Sequence, residues 1–201
     1  MERKNYPKYI IIHHSGGLGE DNYASTKHLT AEDINRAHRL RWPDFKSSLG
    51  WWAGYHYIVE SSGKTTRTRD IFEEGAHTKG HNMESIGICL VGNFNKHPQT
   101  GHPIDKPTQE QENALRSLYG AITRQIGAIK PWNIVGHRYF SQTDCPGTGL
   151  PDNWARNTIL DRATQLSIIQ QMLAELVEAL RKLKSLKLGG SLMKCEDAAR
   201  D

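Results

Sequence analysis

The chain has few cysteines and no long apolar run. Its 201 residues include three cysteines, Cys89, Cys145 and Cys195, and an odd number at unrelated spacings argues against a disulfide framework and for a reducing compartment. No run of eighteen apolar residues occurs, so a membrane-spanning helix is not expected. The first residues lead into an apolar run at Tyr9 without the apolar core of a signal peptide. We therefore expect a cytoplasmic protein with free cysteines.

Neither sign of charge dominates. The chain has 26 Lys and Arg against 22 Asp and Glu, a net charge of +4, which favours polyanions in general without selecting nucleic acid, membrane or cell wall. Basic clusters at 36–41 and 64–69 lack any pattern typical of nucleic-acid readers. We interpret them as solvated faces and expect no specific nucleic-acid partner.

Short apolar runs alternate with helical patterns over residues 1–158. The run from Tyr9 to His14 is typical of a buried strand. Thr30 is a helix N-cap, with a stop at Trp42-Pro43, and the segment from Thr108 to Gln111 is a capping box that opens a second helix. Strands separated by helices predict an α/β domain with a central mixed sheet flanked by helices. The other predicted strands cover residues 54–60, 65–69, 85–92 and 132–138.

Beyond residue 158 the pattern changes to an added C-terminal amphipathic helix, residues 159–188, followed by a flexible tail, residues 189–201. The length is marginal for an independent coiled coil, and further apolar residues broaden the face. We expect self-association or a protein partner through this helix; packing on its own domain is the alternative. The apolar positions, spaced by three and four, are Leu166, Ile169, Leu173, Leu176, Leu180 and Leu183.

Three residues at distant positions have the chemistry of a zinc site. His13 ends the first apolar run, and His137 and Cys145 stand eight residues apart. Imidazole and thiolate bind zinc well, and three protein ligands leave the fourth position to water, as hydrolytic zinc enzymes require. Pro146-Gly147 predicts a turn that returns the thiolate to the sheet. We expect both histidines at the ends of central strands, although His13 alone would more often be a core or loop residue.

Four segments, 10–15, 54–59, 75–94 and 136–147, occur in a characteristic order. They carry Ile-Ile-Ile-His-His-Ser, Gly-Tyr-His-Tyr-Ile-Val, a long Gly-Ala-His to Gly-Asn-Phe segment, and Gly-His-Arg continuing to Thr-Asp-Cys-Pro-Gly. Together they resemble the zinc-dependent type 2 N-acetylmuramoyl-L-alanine amidases, the family of phage lysozyme-amidases and animal peptidoglycan recognition proteins. The resemblance covers about residues 8 to 155 and implies that family's fold.

The resemblance assigns roles to individual residues. His13, His137 and Cys145 match the family's zinc ligands, and Tyr55 matches its catalytic tyrosine. Thr143 stands where phage lysozyme-amidases have an essential lysine and catalytic recognition proteins have threonine. Because threonine offers only a hydroxyl hydrogen bond, more of the oxyanion stabilisation falls to zinc and Tyr55.

Four further residues match the family's substrate groove: His77, Asn82, Asn93 and Arg138. For each, a solvated polar group in a loop is the alternative interpretation. Arg138 is the most attractive, because the stem peptide carries carboxylates. His14 follows a ligand on a strand and should therefore face away from the metal.

The resemblance implies zinc-dependent hydrolysis of the amide bond between N-acetylmuramic acid and L-alanine in peptidoglycan. We expect a phage or prophage endolysin that stays cytoplasmic until its release to the cell wall. The alternative is a non-catalytic peptidoglycan-binding module on the same fold, but such a module does not need the thiolate of Cys145. Cytosolic recycling amidases have a glutamate where this chain has Cys89, a residue we expect in the core. Some phage relatives also inhibit an RNA polymerase, and the chain shows no motif for that.

Overall fold

The computed structural model describes residues 6–17, 22–160 and 170–184. Over the first two ranges, strands alternate with helices, and the α/β class predicted from the sequence is confirmed. The elements are β1 (Tyr9–His14), α1 (Ala31–Arg41), β2 (Tyr57–Val59), β3 (Thr65–Arg67), β4 (Ser85–Leu90), α2 (Gln109–Ile126), β5 (Ile134–Gly136) and α3 (Trp154–Ile159).

The strands form one mixed sheet in the order β3-β2-β4-β1-β5. β3 is antiparallel to β2, and the other pairs are parallel. β4 is therefore central and β1 lies beside it, whereas β5 is an edge strand. Our expectation that β5 would be central was wrong. Its residues are nevertheless buried, because α3 contacts this strand, so its apolar run resembles that of an inner strand.

Helix α1 covers the sheet face that carries His13. Thr30 caps the helix in a capping box, and Ile34 packs with Ile58 and Cys89 in one buried cluster. Cys89 pairs in register with both His13 and Ile58, and residues that pair in register share a face of the sheet. His13 therefore faces the same side as α1, and Cys89 is a core residue as predicted.

Helix α2 begins at the predicted capping box, where Thr108 and Gln111 bond each other's backbone N–H groups. The buried Gln111 amide also donates to the carbonyl oxygens of Val59 at 3.2 Å and Val91 at 2.9 Å. These bonds tie the start of α2 to the ends of β2 and β4. The apolar face of α2 is buried at Leu115, Leu118 and Ile122.

The chain divides after Leu160 into two compact units. In the second unit, residues 170–184 are helical, within the predicted C-terminal helix. Positions 161–169 and 185–201 lie outside the described residues, so the boundaries at 158 and 188 stay predictions. Among the helices that the structure describes, none is long and apolar enough to cross a membrane.

Candidate metal centre

Three side chains from different parts of the fold converge beside the sheet. His13 is the penultimate residue of β1, His137 follows β5 in a single 3-10 turn, and Cys145 lies in the loop beyond it. Their potential ligand atoms all lie within 4.8 Å of one another. Cys145 Sγ is 3.5 Å from His13 Nδ1, and the two imidazole centroids are 4.6 Å apart. The structure thus brings together the three predicted ligands in a group able to hold a metal ion.

The separation of the Cys145 and His13 donor atoms fits a zinc ion. Bonds of about 2.0 to 2.3 Å to a tetrahedral zinc place the ligand atoms about 3.5 Å from one another. The Sγ to Nδ1 distance of 3.5 Å between Cys145 and His13 agrees with this value. Two imidazoles and a thiolate are donors that zinc favours, and they leave one tetrahedral position for water or substrate.

A second layer of side chains orients the His13 ring. His13 Nε2 lies 3.1 Å from His77 Nδ1. Because His13 Nδ1 faces the thiol, we place the hydrogen on Nε2, so that Nε2–H donates to His77. Asn82 Oδ1 accepts the backbone N–H groups of His77 at 2.9 Å and Thr78 at 2.8 Å. His77 and Asn82 thus support a metal donor, and their predicted contact with substrate stays a prediction.

A glycine in β4 makes room for the His77 ring. A Cβ atom at Gly87 would lie 2.6 Å from both Cγ and Cδ2 of that imidazole, much closer than a van der Waals contact allows. A larger residue at position 87 would therefore displace His77. The motif Ser-Ile-Gly-Ile in β4 serves the metal centre through this steric requirement.

Burial sets the protonation state of the donors. Burial lowers the pKa of His13 well below its ordinary value, with further contributions from neighbouring histidines, and it lowers the pKa of His137. Both rings are then neutral near pH 7, the form that binds metal. Burial raises the pKa of the Cys145 thiol to about 12, although the His14 backbone and the Arg138 charge oppose this shift. Metal must therefore displace the thiol proton.

Tyr55 lies beside the metal centre. Its ring centroid is 5.1 Å from that of His13 and 5.3 Å from that of His38. Burial raises the pKa of the Tyr55 phenol well above its ordinary value, and the nearby Cys89 and Cys145 thiols add to the shift, Cys89 also through a side-chain hydrogen bond with Tyr55. The phenol consequently keeps its proton at neutral pH and can donate a hydrogen bond.

A cavity of about 610 Å³, hereafter the metal cavity, is lined by the three donors and by Tyr55, His77 and Asn82. His38 also lines it, and sequence reasoning missed this residue. His38 Nδ1 accepts the Gly54 N–H at 2.9 Å, while burial, with Arg41 and Arg69, lowers the pKa of His38 to about 4. The signal was present, since His38 stands four residues after the buried Ile34 on α1. Three more residues lining the metal cavity are Arg41, Trp42 and Lys79.

Arg138 fastens the loop that carries Cys145. Its Nη2 donates to the carbonyl oxygen of Asp144 at 3.1 Å and to that of Gly147. Its backbone N–H donates to the carbonyl oxygen of Cys145 at 2.9 Å, which closes the loop against the end of β5. Arg138 does not line the metal cavity, and its predicted contact with substrate carboxylates stays a prediction.

Two other predicted site residues have structural partners. Thr143 Oγ1 accepts the Cys145 N–H at 3.2 Å, which leaves the hydroxyl hydrogen available to another acceptor. Asn93 is fully buried, and its Nδ2 donates to the carbonyl oxygens of Asn22 at 2.8 Å and Ala24 at 3.0 Å. Neither residue lines the metal cavity, so their predicted roles stay predictions.

His14 lines the metal cavity, but its imidazole has another hydrogen-bond partner and is not one of the three donors. Its Nδ1 accepts the Phe94 N–H at 3.2 Å, and the metal-binding group does not include it. Burial lowers the pKa of His14 to about 4. Its exclusion from the donor group agrees with the alternation expected along a strand.

Fold and site together define an α/β domain with three side chains able to hold a metal ion. The sequence model of the Amidase_2 family, N-acetylmuramoyl-L-alanine amidase, matches residues 3–148, and the chain belongs to this family.

Its relatives include both recognition proteins and endolysins. Peptidoglycan-recognition protein SC2 of Drosophila melanogaster is 29% identical over 147 residues, which are 73% of this chain and 71% of that protein. The endolysin of Klebsiella phage KP32 is 34% identical over 113 residues, 55% of this chain and 70% of that protein. The solved structure of the Ph2119 endolysin from a Thermus scotoductus bacteriophage has a TM-score of 0.56 at 25% identity and covers 79% of this chain and 88% of its own. Family membership alone therefore does not separate catalysis from recognition.

Proposed function

We propose that the protein is a zinc-dependent amidase that hydrolyses the bond between N-acetylmuramic acid and L-alanine in peptidoglycan. The observation that carries this proposal is the convergence of His13, His137 and Cys145 on one point, with donor atoms within 4.8 Å. A module that only recognises peptidoglycan does not need a buried thiol among two imidazoles. The donor set therefore favours catalysis over the alternative of a non-catalytic binding module.

The residues around the centre suit hydrolysis of an amide. Zinc held there supplies Lewis acidity and an activated water. The Tyr55 phenol, protonated because burial raises its pKa, donates a hydrogen bond to the oxygen that becomes negative as the amide is attacked. Thr143 can add a weaker bond through its hydroxyl hydrogen.

His38 offers a second donor in the metal cavity. Because His38 Nδ1 accepts the Gly54 N–H, the hydrogen of the neutral ring is on Nε2. With its pKa lowered to about 4, the ring stays neutral at physiological pH. His38 therefore orients substrate by hydrogen bonding and adds no charge.

Two cations at the metal cavity suit the peptide part of peptidoglycan. Arg41 and Lys79 both line the cavity, and stem peptides carry free carboxylates. Charge-assisted hydrogen bonds to carboxylates are stronger than neutral ones. These two residues hold the stem peptide in our proposal, beside the groove residues expected from the sequence.

The biological setting we propose is that of a phage or prophage endolysin, made in the cytoplasm and released to the wall. Two endolysins among the similar proteins support this setting. The recognition proteins among its relatives support peptidoglycan as the ligand.

Digestion of purified peptidoglycan tests the proposal. Zinc-loaded protein should create new L-alanine N-termini, detected by mass spectrometry, while leaving the glycan bonds intact. Chelator-treated protein and the Cys145→Ala variant should create none. Binding of peptidoglycan without any new N-terminus would instead identify a recognition module.

A further inference from the structure

A second cavity of about 600 Å³ lies along β5. This volume falls in the range of ligand-binding cavities. We call it the β5 groove. The residues that define it are Trp132, Gly136, Tyr139, Asp152, Asn153 and Trp154.

Residues that line the β5 groove are immediate neighbours, along the chain, of two metal donors. Gly136 and Arg138 line the groove, and they flank the metal donor His137. Pro146 also lines it and follows the donor Cys145. The two segments that carry metal donors are therefore also walls of the groove.

A row of rings joins the β5 groove to the metal cavity. The ring centroids of Tyr139 and Phe140 are 4.9 Å apart, and Phe140 stacks on His81 at 3.9 Å. Gly80 and Asn82, the neighbours of His81, line the metal cavity. We call Tyr139, Phe140 and His81 the aromatic row. The aromatic row thus extends from a residue that lines the β5 groove to the neighbour of two residues that line the metal cavity.

The chemistry of the groove suits an amphipathic ligand. Trp132 is 43% exposed and Tyr139 is 65% exposed, so large aromatic faces meet solvent. The Arg138 guanidinium bonds the carbonyl oxygens of its own loop and lies 3.6 Å from the Asp152 carboxylate. Arg156 also lines the groove and adds a cation to it. Asn153 adds polar groups. Aromatic faces with polar groups at their edge match a sugar, whose ring has an apolar C–H face and a polar rim.

We propose that the β5 groove and the aromatic row bind the glycan strand of the substrate, through N-acetylated hexosamine units next to the muramic acid whose amide lies in the metal cavity. This inference rests on the proposed function for the identity of the glycan. It accounts for two solvent-facing aromatic side chains beside the centre.

The kinetic test compares two substrates. On polymeric peptidoglycan, Trp132→Ala and Tyr139→Ala should each raise KM about tenfold, the loss expected for a good aromatic contact, with kcat nearly unchanged. On a single muramoyl peptide without neighbouring sugars, both variants should match the wild type. Tyr6→Ala is the control for Tyr139→Ala, because Tyr6 is 62% exposed and does not line the groove. Equal KM values for Tyr6→Ala and Tyr139→Ala on the polymer would overturn the proposal.

A binding test separates this inference from the proposed function. A tetramer of N-acetylglucosamine added to the full chain should bind, as measured by calorimetry, and Trp132→Ala should weaken the binding. Absence of binding to the wild-type chain would overturn the glycan site, even with full amidase activity. Binding by a wild-type protein that cleaves neither substrate would keep the site and reject the amidase.

Discussion

The two halves of the metal centre are held in different ways. His13 lies in β1, a strand between two parallel neighbours, and the residue is only 2% exposed. Cys145 lies in a loop held by hydrogen bonds from Arg138 and to Thr143. The packing of the sheet fixes the first half, whereas a few polar contacts fix the second. Metal affinity should therefore be most sensitive to the loop.

Removing the Cys145 thiol should have the largest effect on zinc binding and hydrolysis. Cys145→Ala leaves two imidazoles, too few for the three protein ligands of a catalytic zinc site. We expect loss of bound zinc by metal analysis and loss of hydrolysis. Circular dichroism should show an intact fold, because the sheet does not depend on the loop. Full activity in this variant would contradict the donor assignment.

Tyr55→Phe tests the role of the Tyr55 hydroxyl, beside His13, as a hydrogen-bond donor in the transition state. The variant keeps the ring and removes the hydroxyl, so turnover should fall about a hundredfold or more, as for loss of one oxyanion donor. Peptidoglycan pull-down should stay nearly intact. A change of turnover by less than a few fold would remove Tyr55 from the transition state.

His77→Ala tests the support of His13. Loss of a hydrogen-bond partner of a metal-binding histidine should weaken zinc affinity about 10- to 100-fold, measured by competition with a chelator. His102→Ala, at an exposed histidine, is the control and should keep wild-type affinity. If both variants bind zinc equally well, sheet packing alone orients His13.

Arg138→Met tests the fastening of the loop. The variant keeps an unbranched apolar side chain and loses the charge-assisted hydrogen bonds, so it should lower the free energy of unfolding by about 2 kcal/mol. Urea unfolding of the metal-free protein measures this. Arg36→Met, at an exposed ion pair, should change stability by less than about 0.5 kcal/mol. Equal stabilities of the two variants would show that the loop does not depend on Arg138.

Among these variants, Thr143→Lys should have the smallest effect on activity. The phage lysozyme-amidases that this chain resembles have lysine at the matching position, so the variant should keep most of its activity in a peptidoglycan-turbidity assay. A variant that is folded and zinc-loaded but inactive would show that Thr143 is misplaced in our account.

The contrast between His13 in the sheet and Cys145 in its loop also explains which features the sequence could predict. The apolar run before His13 predicted β1, and capping boxes predicted the starts of α1 and α2, because each pattern is local. The support of His13 by His77 joins residues 64 positions apart. No local pattern reports such a contact, so the sequence predicts a groove residue or a solvated loop residue at His77 and not a partner of His13.

For the loop that carries Cys145, the sequence predicted the metal donors but not the hydrogen bonds that hold the loop in place. Spacing and resemblance identified His137 and Cys145, whereas the bonds of Arg138 to loop carbonyls depend on how the backbone turns. The edge position of β5 was also missed, because burial under α3 gives this strand the composition of an inner one. Self-association through the C-terminal helix stays a prediction.

The most direct test of the central claim is a titration of the metal-free protein with cobalt(II), followed by absorption and activity. The wild-type protein should develop a thiolate-to-cobalt charge-transfer band that saturates at about one equivalent, and activity should rise in parallel. Cys145→Ser should lack the band. A wild-type protein whose activity appears without the band, or whose band persists in Cys145→Ser, would contradict a centre built from His13, His137 and Cys145.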